Sequence, residues 1–320
     1  MLTMKTLYPE ILPYITFFLE TPTQHRIYIE ESGNPDGIPV IFLHGGPCSG
    51  TKPNHRRFFN PDYYRIVLMD QRGCGLSLPF GALEHNTTQD LIQDIEQLRQ
   101  HLKIKQWLLF GGSWGATLAL LYAQHYPDNV CGMILRGVFL GRAKDADWFL
   151  NSNGVGRIYP EQWQKLYESV HENLRADLLQ GLCAELWGKD EIAKRRVAKA
   201  WAAWGAQVSL GRDYQPTLES QHVTEKEVKH TMMELHYAKH HYFIRENQIL
   251  ENCALLTEIP ASIIHGRYDL VCPVEAAVAL HKALPNAEYK VLPNAGHITQ
   301  HTEMIDALVN ATDKMLEIQV

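Results

Sequence analysis

Three residues have the types and the chain order that nucleophilic catalysis requires: Ser113, Asp269 and His297. A serine hydroxyl is a weak nucleophile, so a neutral imidazole must accept its proton during attack. Histidine can do this near neutral pH and can return the proton to the leaving group. An aspartate beside the imidazole fixes its tautomer and stabilises its protonated form. The three residue types therefore predict acyl transfer, provided that the fold brings them together.

Ser113 lies between a predicted strand and a predicted helix. Residues 106–110 form a short apolar run typical of a buried strand, and residues 116–123 are rich in helix formers. The intervening Gly-Gly-Ser-Trp-Gly at 111–115 fits the G-x-S-x-G nucleophile elbow, in which glycines relieve crowding at a sharp turn. The motif alone also fits a tight turn with an ordinary surface serine, so its partners must decide between the two.

Asp269 and His297 each follow a predicted strand. Asp269 ends the segment Gly-Arg-Tyr-Asp after an apolar strand at 260–266, and His297 ends Asn-Ala-Gly-His after a strand at 287–292. Each residue alone also fits a role without catalytic function, Asp269 as a turn carboxylate and His297 as a surface histidine. Because all three lie at strand ends in the order Ser, Asp, His, we predict a catalytic triad of the α/β-hydrolase type.

A glycine-rich loop supplies the expected partner for the developing oxyanion. His-Gly-Gly-Pro at 44–47 follows another apolar strand, at 39–43. Backbone N–H groups that point at the carbonyl oxygen stabilise the transition state of acyl transfer. We expect the amides of Gly46 and Trp114 to form this oxyanion hole, with Gly46 favoured over Gly45. A purely structural turn is the alternative.

The order of predicted elements indicates the fold class. Buried strands alternate with helices, for example the helix at 87–102, which predicts a mostly parallel, doubly wound α/β sheet of the α/β-hydrolase type. Residues from about 143 to 250 show almost no strand pattern and have helical spacing. We therefore predict an α/β-hydrolase core formed by residues 1–142 and 251–320, with a helical cap inserted at 143–250.

Composition limits the classes of function. The chain has 320 residues, 45% of them apolar, and its formal net charge of −6 argues against nucleic-acid partners. No apolar run approaches about 18 residues, so no membrane partner is expected. The six cysteines are scattered without metal-ligand spacing, and the N-terminus has no secretory pattern. These features favour the cytoplasm, and they leave the oligomeric state open.

The chain resembles the proline iminopeptidases (prolyl aminopeptidases), serine peptidases of the α/β-hydrolase fold. The resemblance rests on the segments His-Gly-Gly-Pro at 44–47, Asp-Gln-Arg-Gly-Cys-Gly-Leu-Ser at 70–77, Gly-Gly-Ser-Trp-Gly at 111–115, His-Gly-Arg-Tyr-Asp at 265–269 and Gly-His at 296–297. It implies a cytoplasmic enzyme without metal or cofactor that removes N-terminal proline from peptides. It also implies that an apolar pocket for the pyrrolidine ring is lined by Phe139, Phe149, Phe243 and Cys272, for which ordinary packing is the alternative.

The chain departs from this family at the residues that hold the substrate's cationic nitrogen. The family has a glutamate after a Trp-x-x-Trp motif and another four residues before the Phe of a His-Tyr-Phe motif. Here the first position is Gly205, and the second, aligned on His-Tyr-Phe at 241–243, is Lys239. A lysine repels an ammonium group and cannot accept its hydrogen bonds. Glu234 and Glu246 are candidate substitutes, and Cys48 replaces the family's glycine after His-Gly-Gly-Pro.

These departures leave three hypotheses. The favoured one is a proline iminopeptidase that forms an acyl-enzyme on Ser113. The second is an esterase or amidase of the same fold whose substrate preference has changed because of Gly205 and Lys239. The third is a non-catalytic binding protein of the same fold, against which the complete triad speaks.

Overall fold

The computed structural model describes residues 4–215 and 222–319. Its centre is an eight-stranded sheet, and each strand is a short segment rich in apolar or alternating residues. The strands are β1 (Ile15–Glu20), β2 (Arg26–Gly33), β3 (Ile38–Leu43), β4 (Tyr64–Met69), β5 (Trp107–Gly112), β6 (Val130–Arg136), β7 (Ala261–Gly266) and β8 (Glu288–Leu292).

The sheet has the order β1-β2-β4-β3-β5-β6-β7-β8. The pairs from β4 to β8 are parallel, whereas β1 pairs with β2 and β2 with β4 in antiparallel fashion. The predicted mostly parallel α/β-hydrolase sheet is therefore confirmed. Because parallel strands end at one edge, the loops after β3, β5, β7 and β8 meet there.

Helices connect these strands in the described residues. They are α1 (Thr88–His101), α2 (Trp114–His125), α3 (Ala143–Leu150), α4 (Pro160–Glu168), α5 (Leu178–Trp187), α6 (Glu191–Leu210), α7 (Glu225–Lys239), α8 (Gln248–Glu251), α9 (Val274–Ala283) and α10 (Thr302–Gln319). The predicted helix at 87–102 corresponds to α1. The side chain of Thr87 caps the N-terminus of this helix by accepting a hydrogen bond from the Asp90 amide.

Apolar side chains alternate between the two faces of the sheet. Ile41 and Leu43 of β3 belong to one buried cluster, and Val40 and Phe42 of the same strand belong to another. This period of two is that of a strand covered on both faces. Since helices pack on both faces, the strand-end loops are held on a rigid support.

The helices between β6 and β7 have an apolar cluster of their own. It contains Leu166, Leu182, Trp201 and Trp204, and it shares no buried residue with the two sheet clusters. The division into a core (1–142 and 251–320) and a cap (143–250) stays a prediction, which this separate cluster supports. No helix within residues 4–215 and 222–319 combines the length and apolar content needed to cross a bilayer.

Candidate active site

Ser113 occupies a strained turn between β5 and α2. Its φ of 57° and ψ of −123° are unusual for a residue with a side chain. A Cβ at Gly111 would overlap the carbonyl of Gly115, and one at Gly115 would overlap that of Leu43. The Ser113 amide donates to the carbonyl oxygen of Arg136 at 2.9 Å, which holds the turn against β6. The two motif glycines are therefore required by close backbone approach.

Asp269 and His297 form a hydrogen-bonded pair across two loops. The Nδ1 of His297 lies 2.8 Å from Oδ2 of Asp269, while Oδ1 accepts from the amides of Val271 and Cys272 at 3.0 and 2.8 Å. Asp269 is fully buried; burial opposes its charge, but His297 and these amides hold its pKa below the usual value. Because Nδ1–H faces a carboxylate, Nε2 of His297 is left to act as a proton acceptor.

The structure brings Ser113 to the same place. Its Oγ lies 3.8 Å from Sγ of Cys272, and that sulfur lies within 4.8 Å of the polar atoms of Asp269 and His297. Ser113, His297 and Cys272 line one cavity. The three predicted triad residues therefore converge at the ends of β5, β7 and β8.

His265 supports the Asp269 loop from below and was not singled out from the sequence. Its Nδ1 accepts from the Val138 amide at 3.1 Å, so Nε2 carries the proton and donates to the Cys272 carbonyl at 2.7 Å. Burial keeps the pKa of His265 below its usual value. The neutral imidazole of His265 therefore connects the loops after β6 and β7 by hydrogen bonds.

The His-Gly-Gly-Pro loop lies against the nucleophile. A Cβ built on Gly45 would be 3.4 Å from the Cβ of Ser113, and Gly46 has a φ of 118°. Trp114 is the first residue of α2, so its amide has no acceptor within the helix. The amides of Gly46 and Trp114 stay the predicted oxyanion donors.

A network of side chains fixes this loop relative to α2. The indole N–H of Trp114 donates to Oε1 of Gln71 at 3.0 Å, and Nε2 of Gln71 donates to the His44 carbonyl at 2.8 Å. The Gln71 amide in turn donates to Nε2 of His44 at 3.0 Å. These buried contacts couple the loops after β3 and β4 to the residue that follows the nucleophile.

The cavity in front of Ser113 has a volume of about 750 Å³. Of the four predicted pocket residues, Phe139, Phe149 and Cys272 line it. Phe149 also packs edge-on against Trp201, with 5.7 Å between ring centroids, so it serves the cap as well. Tyr242, which the sequence did not single out, lines the cavity beside Phe139.

Two residues considered in the sequence analysis lie outside the cavity lining. Phe243 does not belong to the cavity lining; its ring stacks on that of His240 at 5.0 Å. Lys239 is also outside, with its ammonium 5.8 Å from the ring centroid of Trp187. Lys239 therefore does not occupy the place of an amine-binding glutamate.

Glu234 was considered from the sequence only as a candidate substitute, and the structure places it in the cavity wall. It lines the cavity, and its Oε2 accepts from the indole N–H of Trp201 at 2.6 Å. Ala238 also lines the cavity and follows the pair His236-Tyr237, so the family's His-Tyr-Phe motif fits 236–238 better than 241–243. The residue four positions before Ala238 is Glu234. The additional His-Tyr pair at 236–237 was the signal in the sequence that could have given this alignment of the motif.

Gly205 is placed as predicted, in the wall of the cavity. A Cβ built there meets nothing within 4 Å. The family's first glutamate therefore has no counterpart in α6, and the space for its side chain is open. Glu246, the other candidate substitute, accepts from the amide of Ala143 and is not part of the lining.

Comparisons with known proteins agree with this geometry. The family model for the α/β-hydrolase fold matches residues 38–303. The probable proline iminopeptidase of Leptolyngbya boryana is 44% identical over 316 residues, which are 98% of each chain. The proline iminopeptidase of Neisseria meningitidis is 44% identical over 310 residues, which are 95% of this chain and 97% of the relative.

A solved structure supports the fold. The esterase RhEst1 from Rhodococcus superimposes with a TM-score of 0.64 at 17% identity, covering 94% of this chain and 99% of the esterase. At that identity the likeness concerns the fold alone. The long, full-length matches at 44% identity are more specific, and they show that this chain belongs to the proline iminopeptidase family of α/β hydrolases.

Proposed function

We propose that the protein is a prolyl aminopeptidase, which releases N-terminal proline from small peptides. The observation that carries this proposal is the placement of Glu234 in the same cavity as Ser113, with the Trp201 indole fixing one of its oxygens. An aminopeptidase must hold a cationic terminal nitrogen, and a carboxylate in the cavity wall does so by charge-assisted hydrogen bonding. The relatives' name and the site chemistry thus point the same way.

The catalytic steps follow from the geometry at the strand ends. Oγ of Ser113 attacks the prolyl carbonyl carbon while Nε2 of His297 takes its proton. The amides of Gly46 and Trp114 stabilise the oxyanion. His297 then protonates the leaving amine as the C–N bond breaks, which leaves a prolyl ester on Ser113. Water, activated by the same imidazole, hydrolyses this ester and returns the proton to Ser113.

The substrate orientation follows from the other walls. Phe139, Tyr242 and Cys272 present apolar surface near the nucleophile, suited to a pyrrolidine ring. Glu234 accepts the two N–H groups of the secondary ammonium. Oε2 is engaged by the Trp201 indole and Oε1 lies 3.5 Å from Nε2 of His230, so the ammonium shares Oε1 with His230.

The esterase or amidase hypothesis rested on the loss of both amine-binding glutamates. The position of Glu234 in the cavity removes one of the two observations behind that hypothesis. The other, the open space at Gly205, remains. That space favours some tolerance for larger groups near the amine, but it supplies no chemistry that an ester would need. The aminopeptidase is therefore the better-supported function.

Three substrates compared at steady state test the proposal: a proline arylamide, its N-acetylated form and a short acyl ester. We expect the free amine to have the highest kcat/KM, because the acetylated form cannot pair with Glu234. A higher kcat/KM for the acetylated arylamide or the ester would instead support the esterase or amidase. Absence of turnover together with failure to react with a fluorophosphonate would support a binding protein.

The proposed location and partners rest on composition and on the thiols. No disulfide bond joins the cysteines within the described part of the chain, a usage typical of reducing compartments. We therefore keep the cytoplasm as the proposed location. The partners proposed are small peptides, with neither nucleic acid nor membrane.

A further inference from the structure

Three metal-ligating side chains outside the triad meet at the cap side of the cavity. They are Cys48, from the loop after β3, and His230 and Glu234, from α7. Their ligand atoms lie within 4.8 Å of one another. His230 and Glu234 line the cavity, and Cys48 is buried with 3% of its surface exposed.

The spacing within α7 fits a metal without rearrangement. His230 and Glu234 are four residues apart and share one helix face. Nε2 of His230 lies 3.5 Å from Oε1 of Glu234. Two ligands at about 2.1 Å from a tetrahedral metal are about 3.4 Å apart.

The third ligand already contacts the same residue. Sγ of Cys48 lies 3.5 Å from the carbonyl oxygen of His230. Its sulfur also lies within 4.8 Å of the ligand atoms of His230 and Glu234. A thiolate and an imidazole on a tetrahedral zinc are about 3.6 Å apart, so a shift of at most about 1 Å completes the site. Cys48 thereby links the loop after β3 to α7.

A second layer of contacts orients the carboxylate. The Trp201 indole N–H holds Oε2 of Glu234 at 2.6 Å, which turns Oε1 towards His230. Hydrogen bonds of this kind orient metal ligands and tune their affinity. The three donors are therefore partly preorganised before any cation arrives.

We propose that Cys48, His230 and Glu234 form a binding site for a thiophilic divalent cation, with Zn²⁺ as the best match. One thiolate, one imidazole and one carboxylate are borderline-soft donors that suit Zn²⁺ rather than Mg²⁺ or Ca²⁺. The fourth position faces the cavity and is filled by water. The cation takes no part in catalysis.

Binding the cation displaces a proton from Cys48. A free cysteine thiol is protonated at neutral pH, and only the thiolate is a metal ligand. The S–H bond breaks as the sulfur–metal bond forms, and the proton passes to solvent. The bound cation then balances the negative charges of the Cys48 thiolate and the Glu234 carboxylate.

The consequence is inhibition by competition at Glu234, and this step rests on the proposed function. A cation bound to Oε1 occupies the oxygen that the substrate's ammonium requires. Zn²⁺ and a free-amine substrate therefore exclude each other. The site makes turnover sensitive to free zinc.

Cobalt(II) added to the full-length, metal-free protein tests the site directly. We expect one equivalent to bind with the visible absorption of tetrahedral Co²⁺ and a near-ultraviolet thiolate charge-transfer band, and Zn²⁺ to displace it. Cys48→Ser should abolish the thiolate band. His230→Gln should weaken binding by at least about 10²-fold and Trp201→Phe by about 10-fold. An unchanged spectrum in Cys48→Ser would overturn the proposal.

Two control variants separate this site from other sulfur donors. Cys272→Ser removes the thiol beside the triad, the other group whose atoms could hold a metal. Cys74→Ser alters a buried neighbour that packs with Cys48. Both should keep the thiolate band, and its loss in either one would assign the metal elsewhere. Unfolding temperatures of the metal-free variants identify any that fail to fold, in which case His230→Gln decides.

Inhibition is measured separately from binding. Zn²⁺ should raise the KM for proline arylamide in the wild type, and Cys48→Ser should need at least about 10²-fold more Zn²⁺ for the same effect. If Co²⁺ binds as expected but the protein does not hydrolyse proline arylamide, the proposed function fails and the metal site stands. If hydrolysis is normal and no thiolate band appears, the metal site fails alone.

Discussion

The cavity has two walls of different construction. One wall consists of loops at the ends of β3, β5, β7 and β8, which carry the oxyanion segment, Ser113, Asp269 and His297. The other consists of the helices α6 and α7, which carry Gly205 and Glu234. The loop wall is rigid and determined by local motifs, whereas the helical wall is determined by which residues of a helix face inward. In the proposed function, the first wall carries out the chemistry and the second selects the substrate.

The largest effect should follow from breaking the loop wall at its nucleophile. Ser113→Ala removes the attacking oxygen, so kcat should fall by about 10⁶-fold, as for other serine hydrolases whose residual turnover comes from the oxyanion hole and binding. Steady-state assays on proline arylamide measure the loss, and circular dichroism checks the fold. Turnover within about tenfold of the wild type would remove Ser113 from the mechanism.

A loss about a hundredfold smaller is expected from Asp269→Asn. The amide cannot stabilise the imidazolium and favours the wrong tautomer of His297, so kcat should fall by about 10⁴-fold with little change in KM. Glu303→Gln is a suitable control, because this carboxylate accepts hydrogen bonds from Asn294 in the same loop but does not contact His297. A loss below about tenfold for Asp269→Asn would mean that another group orients the imidazole.

The loop wall could be predicted from the sequence because its signals are local. Every triad residue follows its strand within a few positions, and parallel strands must end at one edge. The fold class and the meeting of Ser113 with residues more than 150 positions away follow from that rule, whereas the order of the strands was not predicted. What the local pattern lacked was the support beneath the loops, such as His265, since its partners come from other strands.

The helical wall could not be predicted with the same success. In a helix, a displacement of a few residues moves a side chain to another face, so the choice between two His-Tyr pairs moved the expected amine site from Glu234 to Lys239. Phe243, which was chosen from the same alignment, lies outside the cavity lining. The Cys48, His230 and Glu234 cluster was also inaccessible, because Cys48 lies 182 positions from His230 and no motif joins them.

Breaking the helical wall should change selectivity rather than chemistry. Glu234→Gln keeps the shape and removes the charge, so kcat/KM for proline arylamide should fall by about 10²-fold, the effect of losing one partner of a buried charge pair. The N-acetylated arylamide should change less than about threefold, because it carries no ammonium. Glu225→Gln, an exposed position on the same helix paired with Lys229, is the control and should leave both substrates unaffected. Equal losses on both substrates would place Glu234 in a structural role.

The smallest effect should come from adding a carboxylate side chain to the helical wall. Gly205→Glu places a second carboxylate in open space. A partly solvated ion pair contributes up to about 1 kcal/mol, so KM for proline arylamide should fall by about fivefold with kcat unchanged. Gly205→Gln is the matched control, because it shares the gain in helix propensity over glycine but not the charge.

The pair of variants separates charge from helix stability. Both should raise the unfolding free energy by a similar amount, about 0.5–1 kcal/mol, since each replaces glycine within α6. Only Gly205→Glu should lower KM, and only for the free amine. If Gly205→Gln lowers KM equally, the gain comes from filling space, and the cavity then discriminates substrates at this position by shape. If both raise KM, the open space at Gly205 is itself occupied by the substrate, and the helical wall selects for a larger group than proline alone.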